Sequence, residues 1–205
     1  MKPYNILLAG VGGQGLMLLS QVIGDACTRN NIKVVVGAQH GLSQRSGSIS
    51  AHVRVGDASS PLIPYSSANL IISMEAMEAL RNIEYLKEGG TVIMSQRLIH
   101  PPLETAPLVK SRNVKGGYAT LDQVKQALSK VAGVVIDLDS SKLALEAGNP
   151  RTENVVLLGA ACSLSGFPVT AEELKESIRR IVPERAVDAN FKAFELGQNS
   201  VKMVK

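Results

Sequence analysis

Short apolar runs alternate along the chain with stripes of helical spacing. Asn5–Gly10 is an apolar run that ends in glycine and predicts a buried strand. Leu16, Leu19, Ser20, Ile23 and Cys27 then fall on one face of a helix. Lys33–Ala38 reads as a second strand. From Ser48 to Gly56 the chain alternates strictly, with Ile49, Ala51, Val53 and Val55 on one side and Ser48, Ser50, His52 and Arg54 on the other, which predicts a strand with one polar face. Asn69–Met74, Gly90–Ser95 and Val134–Leu138 predict three more strands, the first two separated by a helical stretch around Glu75–Leu86. The prolines between His100 and Pro107 exclude a helix interior and suggest a crossing loop or edge segment. Thr120 with Gln123, and Thr170 with Glu173, have the spacing of capping boxes, the second with Val169 and Leu174 placed as a hydrophobic staple. Beyond about residue 150 the pattern is helical throughout: Glu153–Leu164, a helix after Thr170 that stops at Pro183, and a last helix over about Glu184–Gly197. This order predicts an α/β fold, a Rossmann-like three-layer sandwich whose mostly parallel sheet has helices on both faces, with a helical C-terminal third. With no repeat, low-complexity stretch or linker, residues 1–205 read as a single domain.

Composition narrows the function. Hydrophobic residues at 45% and charged residues at 20% exclude a disordered chain. Two cysteines, Cys27 and Cys162, exclude a disulfide scaffold and a self-contained iron–sulfur cluster, which would need four thiolates. Both lie on apolar helical stripes and read as buried, inert thiols. Aromatics at 3% and the absence of tryptophan argue against base stacking, and no run of five like charges marks a nucleic-acid tail. The net charge of +4 is concentrated where Arg97, Lys110, Arg112, Lys115, Lys125 and Lys130 face only Glu104 and Asp122. That stretch is either an anion- or partner-facing surface or an ordinary solvated loop and helix. No apolar run approaches the ~18 residues of a membrane span, and no secretory signal opens the chain, so a soluble cytoplasmic protein with no membrane partner is expected.

Two stretches carry the candidate chemistry. Gly10-Val-Gly-Gly-Gln-Gly15 follows a strand and opens a helix, so its backbone can approach an anion at the helix N-terminus. A nicotinamide site would also need an acidic residue at the end of the second strand, and Val36-Gly-Ala-Gln39 has none. A tight strand–helix turn with no ligand remains the plain alternative. The second stretch, Gly37 to Ser48, is rich in glycine and amides and lies at the same end of the sheet. There Arg45 suits a phosphate or carboxylate and His40 titrates near neutrality, unless the loop only shapes itself. His52 and His100 are isolated, so no metal set is visible. Asp137 and Asp139 read as a cation pair or, better, as a strand end with a helix N-cap before Ser140. No triad or carboxylate pair follows from spacing. A domain with an anion-accepting loop and no catalytic machinery of its own suggests a subunit whose chemistry lies on a partner.

Several blocks together resemble one family over essentially the whole chain: Asn5 to Gly15, Gln39-His-Gly-Leu-Ser-Gln-Arg-Ser-Gly-Ser48 followed by His52-Val-Arg-Val-Gly56, Asn149-Pro to Asn154-Val-Val-Leu-Leu-Gly159, and Asn190-Phe-Lys-Ala-Phe-Glu-Leu-Gly197. They resemble the gamma-type domain of the 2-oxoacid:ferredoxin oxidoreductases, and most strongly its indolepyruvate-type members. The resemblance implies oxidative decarboxylation of a 2-oxoacid, an arylpyruvate by preference, with coenzyme A to acyl-CoA, carbon dioxide and reduced ferredoxin. It implies that this chain alone holds no cofactor, that thiamine diphosphate, Mg²⁺ and [4Fe–4S] clusters sit on a larger partner subunit, and that coenzyme A is a co-substrate. Ferredoxin would be met through the complex, and the isolated chain would self-associate. By the same likeness Gly12, Gly13, Gln14, Gly15, His40, Gln44, Arg45, Gly47 and Asn154 would lie at the interface or cofactor approach, with Arg45 contacting the partner or coenzyme A. Ser46 and Gln39 depart from the family's usual residues, and members acting on pyruvate, branched-chain oxoacids or 2-oxoglutarate share most of these motifs. Two rivals stand beside this reading: a free-standing nicotinamide-dependent dehydrogenase, and a non-enzymatic module that binds a nucleotide or coenzyme A.

Overall fold

The computed structural model describes residues 3–40, 47–99 and 118–202. The prolines after His100, with Lys110, Arg112 and Lys115, lie outside the described residues. Six strands, β1 (Tyr4–Val11), β2 (Val34–His40), β3 (Ser48–Val55), β4 (Ala68–Ser73), β5 (Leu86–Ser95) and β6 (Val134–Leu138), form one sheet in the order β2-β3-β1-β4-β5-β6. β1, β4, β5 and β6 pair in parallel, while β3 runs antiparallel to both β1 and β2. Five strands therefore share one direction and β3 opposes them, as the mostly parallel sheet required.

Alternation sorts the strand residues onto two cores. Ile6, Leu8, Leu70, Ile72, Ile93 and Ile136 face a large cluster under helices α1 (Leu16–Arg29), α5 (Glu153–Cys162), α6 (Ala171–Ile181) and α7 (Val187–Lys202). Leu7, Ile71, Val92 and Met94 face a smaller cluster under α2 (Ala76–Arg81) and α3 (Leu121–Leu128). The seventh helix, α4 (Ser140–Glu146), leads from β6 toward α5. Each fully buried Leu or Ile stabilises the fold by roughly 1.5–3 kcal/mol, and the strand residues share both clusters with buried helix residues such as Leu19, Ile23, Leu158 and Phe194 in the larger one and Val124 and Leu128 in the smaller.

Both capping boxes form as read. Thr120 and Thr170 accept from the backbone N–H of Gln123 and Glu173, whose side chains accept in return from the two threonine N–H groups. Val169 and Leu174 are buried in the same cluster. Asp139 caps α4 by accepting from Lys142 N–H, whereas Asp137 pairs with Lys125 at 2.9 Å.

Three elements differ from their pattern. The helix after Glu75 ends at Arg81 and gives way to a 3-10 turn at Ile83–Tyr85, and β5 already begins at Leu86. The last helix runs past Gly197 to Lys202. The polar face of β3 is covered. His52 is fully buried, its Nδ1 accepting from Ile63 N–H, and Arg54 donates to the carbonyls of Ser60 and Leu62. The chain between β3 and β4 folds back over that face, so its polar residues hold this segment instead of facing water.

Candidate functional site

β1 leads through α1 to β2 on one side, while the chain leaving β3 crosses to β4 on the other. The carboxyl ends of β1 and β4 thus mark the point where the two halves of the sheet diverge, the usual ligand crevice of open α/β sheets. A cleft of about 420 Å³ opens there, lined by Gly13, Gln14, Gly15, Met74, Arg97, Pro150, Arg151, Glu153 and Asn154 among others.

The glycine loop builds one wall. Gly13 and Gly15 have φ of 91° and 78°, in the left-handed region that side chains rarely adopt. Gly15 caps α1 with no side-chain cap among the described residues, and the first turn holds no acidic residue, so the positive end of this 14-residue helix is not neutralised by a neighbouring acid of its own. Gln14 braces the loop: its Oε1 accepts from Val11 N–H at 2.8 Å and its Nε2 donates to Met74 O at 3.3 Å. This amide ties the ends of β1 and β4 together across the crevice and is structural in what it touches. Asn154 is buried at the start of α5 and donates from Nδ2 to Gly15 O at 3.1 Å, locking that helix to the loop. Gly12 N–H donates to Gly47 O at 3.1 Å, so the second candidate stretch does end beside the first.

The opposite wall is basic. Asn149 Oδ1 accepts from Arg151 N–H, and Thr152 Oγ1 donates to Asn149 O, forming a proline-led turn that presents Arg151 to the cleft. Arg151 has no carboxylate partner among the described residues. Arg97 Nη2 donates to Glu153 Oε1 at 2.6 Å and to Ser141 Oγ at 3.2 Å. Glu153 therefore compensates one guanidinium and orients it, while the second keeps its full charge. Among the described members of the basic cluster read from sequence, Arg97 and Lys125 are ion-paired, and Arg97 is the one that lines this site.

Gly12, Gly13, Gln14, Gly15, Gly47 and Asn154 thus come together. His40 closes β2; its side chain, Gln44 and Arg45 lie outside the described residues. The nicotinamide alternative fails on topology as well as on residues. β3 separates β2 from β1, so the end of β2 is two strand spacings, about 10 Å, from the glycine loop.

The sequence reading missed a pair of buried carboxylates behind the cleft. Glu75 caps α2, accepting from Glu78 N–H at 2.8 Å with Oε2 and from Ile99 N–H at 2.9 Å with Oε1. Glu78 Oε2 accepts from Ser48 Oγ at 2.5 Å. Burial raises the Glu75 carboxyl above its ordinary range, with the two N–H donors pulling the other way. The i, i+3 spacing of two acids at a helix start was the available signal, read in sequence only as part of a helix. Burial and nearby Glu173 push the Cys27 thiol up to about 11, and burial with Glu172 and Glu173 does the same to Cys162, so both are protonated at neutral pH. Among the described residues no three His, Cys, Asp or Glu group together for a metal, and no helix is long and apolar enough to cross a membrane.

A Rossmann-like sheet with a braced glycine loop and an arginine-lined cleft at its switch point defines an open α/β domain. The chain belongs to the pyruvate ferredoxin/flavodoxin oxidoreductase family, whose model matches residues 5–200, and it is a subunit of an oxidoreductase of this 2-oxoacid type. It is 44% identical to indolepyruvate oxidoreductase subunit IorB of Thermococcus kodakarensis and also to that of Pyrococcus horikoshii, covering 98% of each chain in both cases. Among solved structures it resembles the gamma subunit of a keto/oxoacid ferredoxin oxidoreductase from Geobacter sulfurreducens, with a TM-score of 0.69 at 21% identity over 98% of this chain and 99% of that one. A 2-oxoglutarate:ferredoxin oxidoreductase from Magnetococcus marinus, solved with 2-oxoglutarate, coenzyme A and succinyl-CoA bound, aligns with all of this chain over 32% of its own length, with a TM-score of 0.70 at 20% identity. These two likenesses establish the fold. The family and fold expected from the sequence blocks are those found.

Proposed function

We propose that the chain is the small, cofactor-free subunit of an indolepyruvate-type oxidoreductase, a single domain working in the cytoplasm against a larger subunit that holds thiamine diphosphate and the iron–sulfur clusters. Its own cleft receives the anionic part of coenzyme A. The observation that carries this reading is the N-terminus of α1 and Arg151, both without a neutralising carboxylate among the described residues, lining one cleft at the switch point. The substrate class rests on 44% identity to relatives named for indolepyruvate, against 25% to a 2-oxoglutarate synthase subunit KorC from Methanothermobacter marburgensis.

Within this reading the chain's residues bind and orient. The α1 N-terminus and Arg151 hold negative charge, Glu153 fixes the direction of Arg97, and Gln14 and Asn154 keep the loop from yielding. Electron transfer and decarboxylation belong to the partner's cofactors. The test is the steady-state kinetics of the assembled complex carrying Arg151→Gln. Loss of one charged contact should raise the KM for coenzyme A by about tenfold or more while kcat changes little. An unchanged KM would remove coenzyme A from this cleft.

A further inference from the structure

At the opposite end of the sheet, a second pocket of about 510 Å³ is lined by Pro3, Asn5, Arg54, Pro64, Ser66, Ser67, Asn69 and Lys87. β1 spans eight residues between the two, so the pockets lie roughly 25 Å apart. The hydrogen bonds of this pocket are arranged with one polarity. Asn69 Oδ1 accepts from Asn5 N–H at 2.9 Å, and Asn5 Oδ1 accepts from Arg54 Nε at 3.0 Å, so both amide oxygens are taken by protein donors. Asn5 Nδ2 is spent on Ser67 O at 2.9 Å, and Ser67 Oγ donates to Tyr65 O. Arg54 Nη1 donates to Ser60 O and Leu62 O, which fixes the plane of the guanidinium. What remains is a set of donors: Arg54 Nη2, Lys87 Nζ, Asn69 Nδ2 and the Ser66 hydroxyl have no partner among the described residues.

Among the described residues no carboxylate lines the pocket, and Asp57, on the same connection as Ser60 and Leu62, is committed to Lys33 at 3.2 Å. Two cations with only neutral acceptors around them are uncompensated. The guanidinium is held rigidly by three oxygens, so little ordering would be lost on binding. Ser66 sits at φ 54°, in the left-handed region, held by its N–H donating to Glu84 O. A bare carboxylate brings one charge and two oxygens. A phosphate brings nearly two charges and three oxygens, which matches two cations and the several N–H and O–H groups that remain.

From this geometry we infer that the pocket between Asn5, Arg54, Asn69 and Lys87 binds phosphate, free or as the terminal group of a small phosphorylated molecule, at a site separate from the coenzyme A cleft.

The test is titration of inorganic phosphate into the ¹⁵N-labelled full-length chain and into the assembled complex, following the Asn69 side-chain amide and the backbone of Ser66. Saturable binding to a single site is expected at these two reporters in both, with acetate binding more weakly than phosphate. The Lys87 side chain is exposed and has no partner among the described residues, so Lys87→Gln should leave the fold intact and weaken phosphate binding by about fivefold or more. Arg54→Gln also breaks the brace on Asn5, so its melting is checked first and Arg54→Lys serves if it fails to fold. Arg151→Gln, in the other cleft, should leave the phosphate affinity at this pocket unchanged. Titration of glycerol 3-phosphate separates a phosphorylated ligand from the free ion: tighter binding identifies the former and equal or weaker binding the latter, both within the inference. Absence of saturation to roughly 1 mM, a preference for acetate, equal binding by Lys87→Gln, or loss of the site on assembly would each overturn it.

Discussion

Gly15→Ala tests the joint on which the candidate site depends. The residue has φ 78°, and a Cβ built there runs into Asn154 Nδ2. Holding alanine in the left-handed region costs roughly 1–2 kcal/mol. Pushing Asn154 away breaks its bond to Gly15 O and leaves a buried amide unpaired, which adds roughly 1–3 kcal/mol. Asn154→Ala alone loses the bond but makes room, also at roughly 1–3 kcal/mol. In the double variant the strain remains while the collision disappears, so the two changes should fall short of additivity by about 1–3 kcal/mol. Urea unfolding of the wild-type chain, both single variants and the double variant closes this cycle. Additivity within about 0.5 kcal/mol, or a Gly15→Ala chain as stable as wild type, would refute the claim that Asn154 and the glycine loop are locked together.

Gly159 and Gly197 meet where α5 and α7 cross, and a Cβ at either would enter the backbone carbonyl of Phe194 or Val156; Gly159→Ala should cost about 3 kcal/mol or more in urea melts, beyond the cost of an ordinary overpacked site. Thr170→Ala should lower stability by about 1 kcal/mol through the lost cap of α6, with Thr170→Ser close to wild type by the same melts. Both cysteine thiols are raised from about 9 to about 11, so the unfolded chain loses their protons first and stability should fall as pH rises through that window. Urea midpoints at pH 8 and pH 10 check this, and Cys27→Val should flatten the decline.

Much of the fold could be read from periodicity because its signals are local. The period-two strands, the stripe on α1, both capping boxes and the Asp139 cap depend on residues within a turn or two of each other. The misreadings came from contacts distant in sequence. The polar residues of β3 alternate as a solvent face would, but the segment from Asp57 to Ser67 returns over them, burying His52 and giving Arg54 two carbonyl oxygens beside the Asn5 Oδ1 of β1. Burial and the Arg54 charge hold His52 below its usual titration range, and its Nε2 has no partner among the described residues. At the site, the glycine string announced a helix N-terminus, while the cationic wall did not announce itself. Arg97 and Arg151 are 54 positions apart and meet only because β5 and the turn before α5 end at the same edge. The amide of Gln14, a residue placed by likeness at the interface or cofactor approach, also joins Val11 to Met74, the latter 60 positions from Gln14, a contact that no local pattern announces. Glu75 and Glu78 lay unremarked in a helical stretch, since their importance comes from Ser48 and Ile99.

Reconstitution measures most directly whether this chain completes an indolepyruvate-type enzyme. The chain is mixed with its larger subunit, and ferredoxin reduction is followed with coenzyme A and, in turn, indolepyruvate, pyruvate and 2-oxoglutarate. The chain alone should be colourless and inactive, and the reconstituted complex should reduce ferredoxin with indolepyruvate at a kcat/KM well above those for the other two oxoacids. Equal activity without this chain, a preference for pyruvate or 2-oxoglutarate, or nicotinamide-dependent turnover by the chain alone would contradict it.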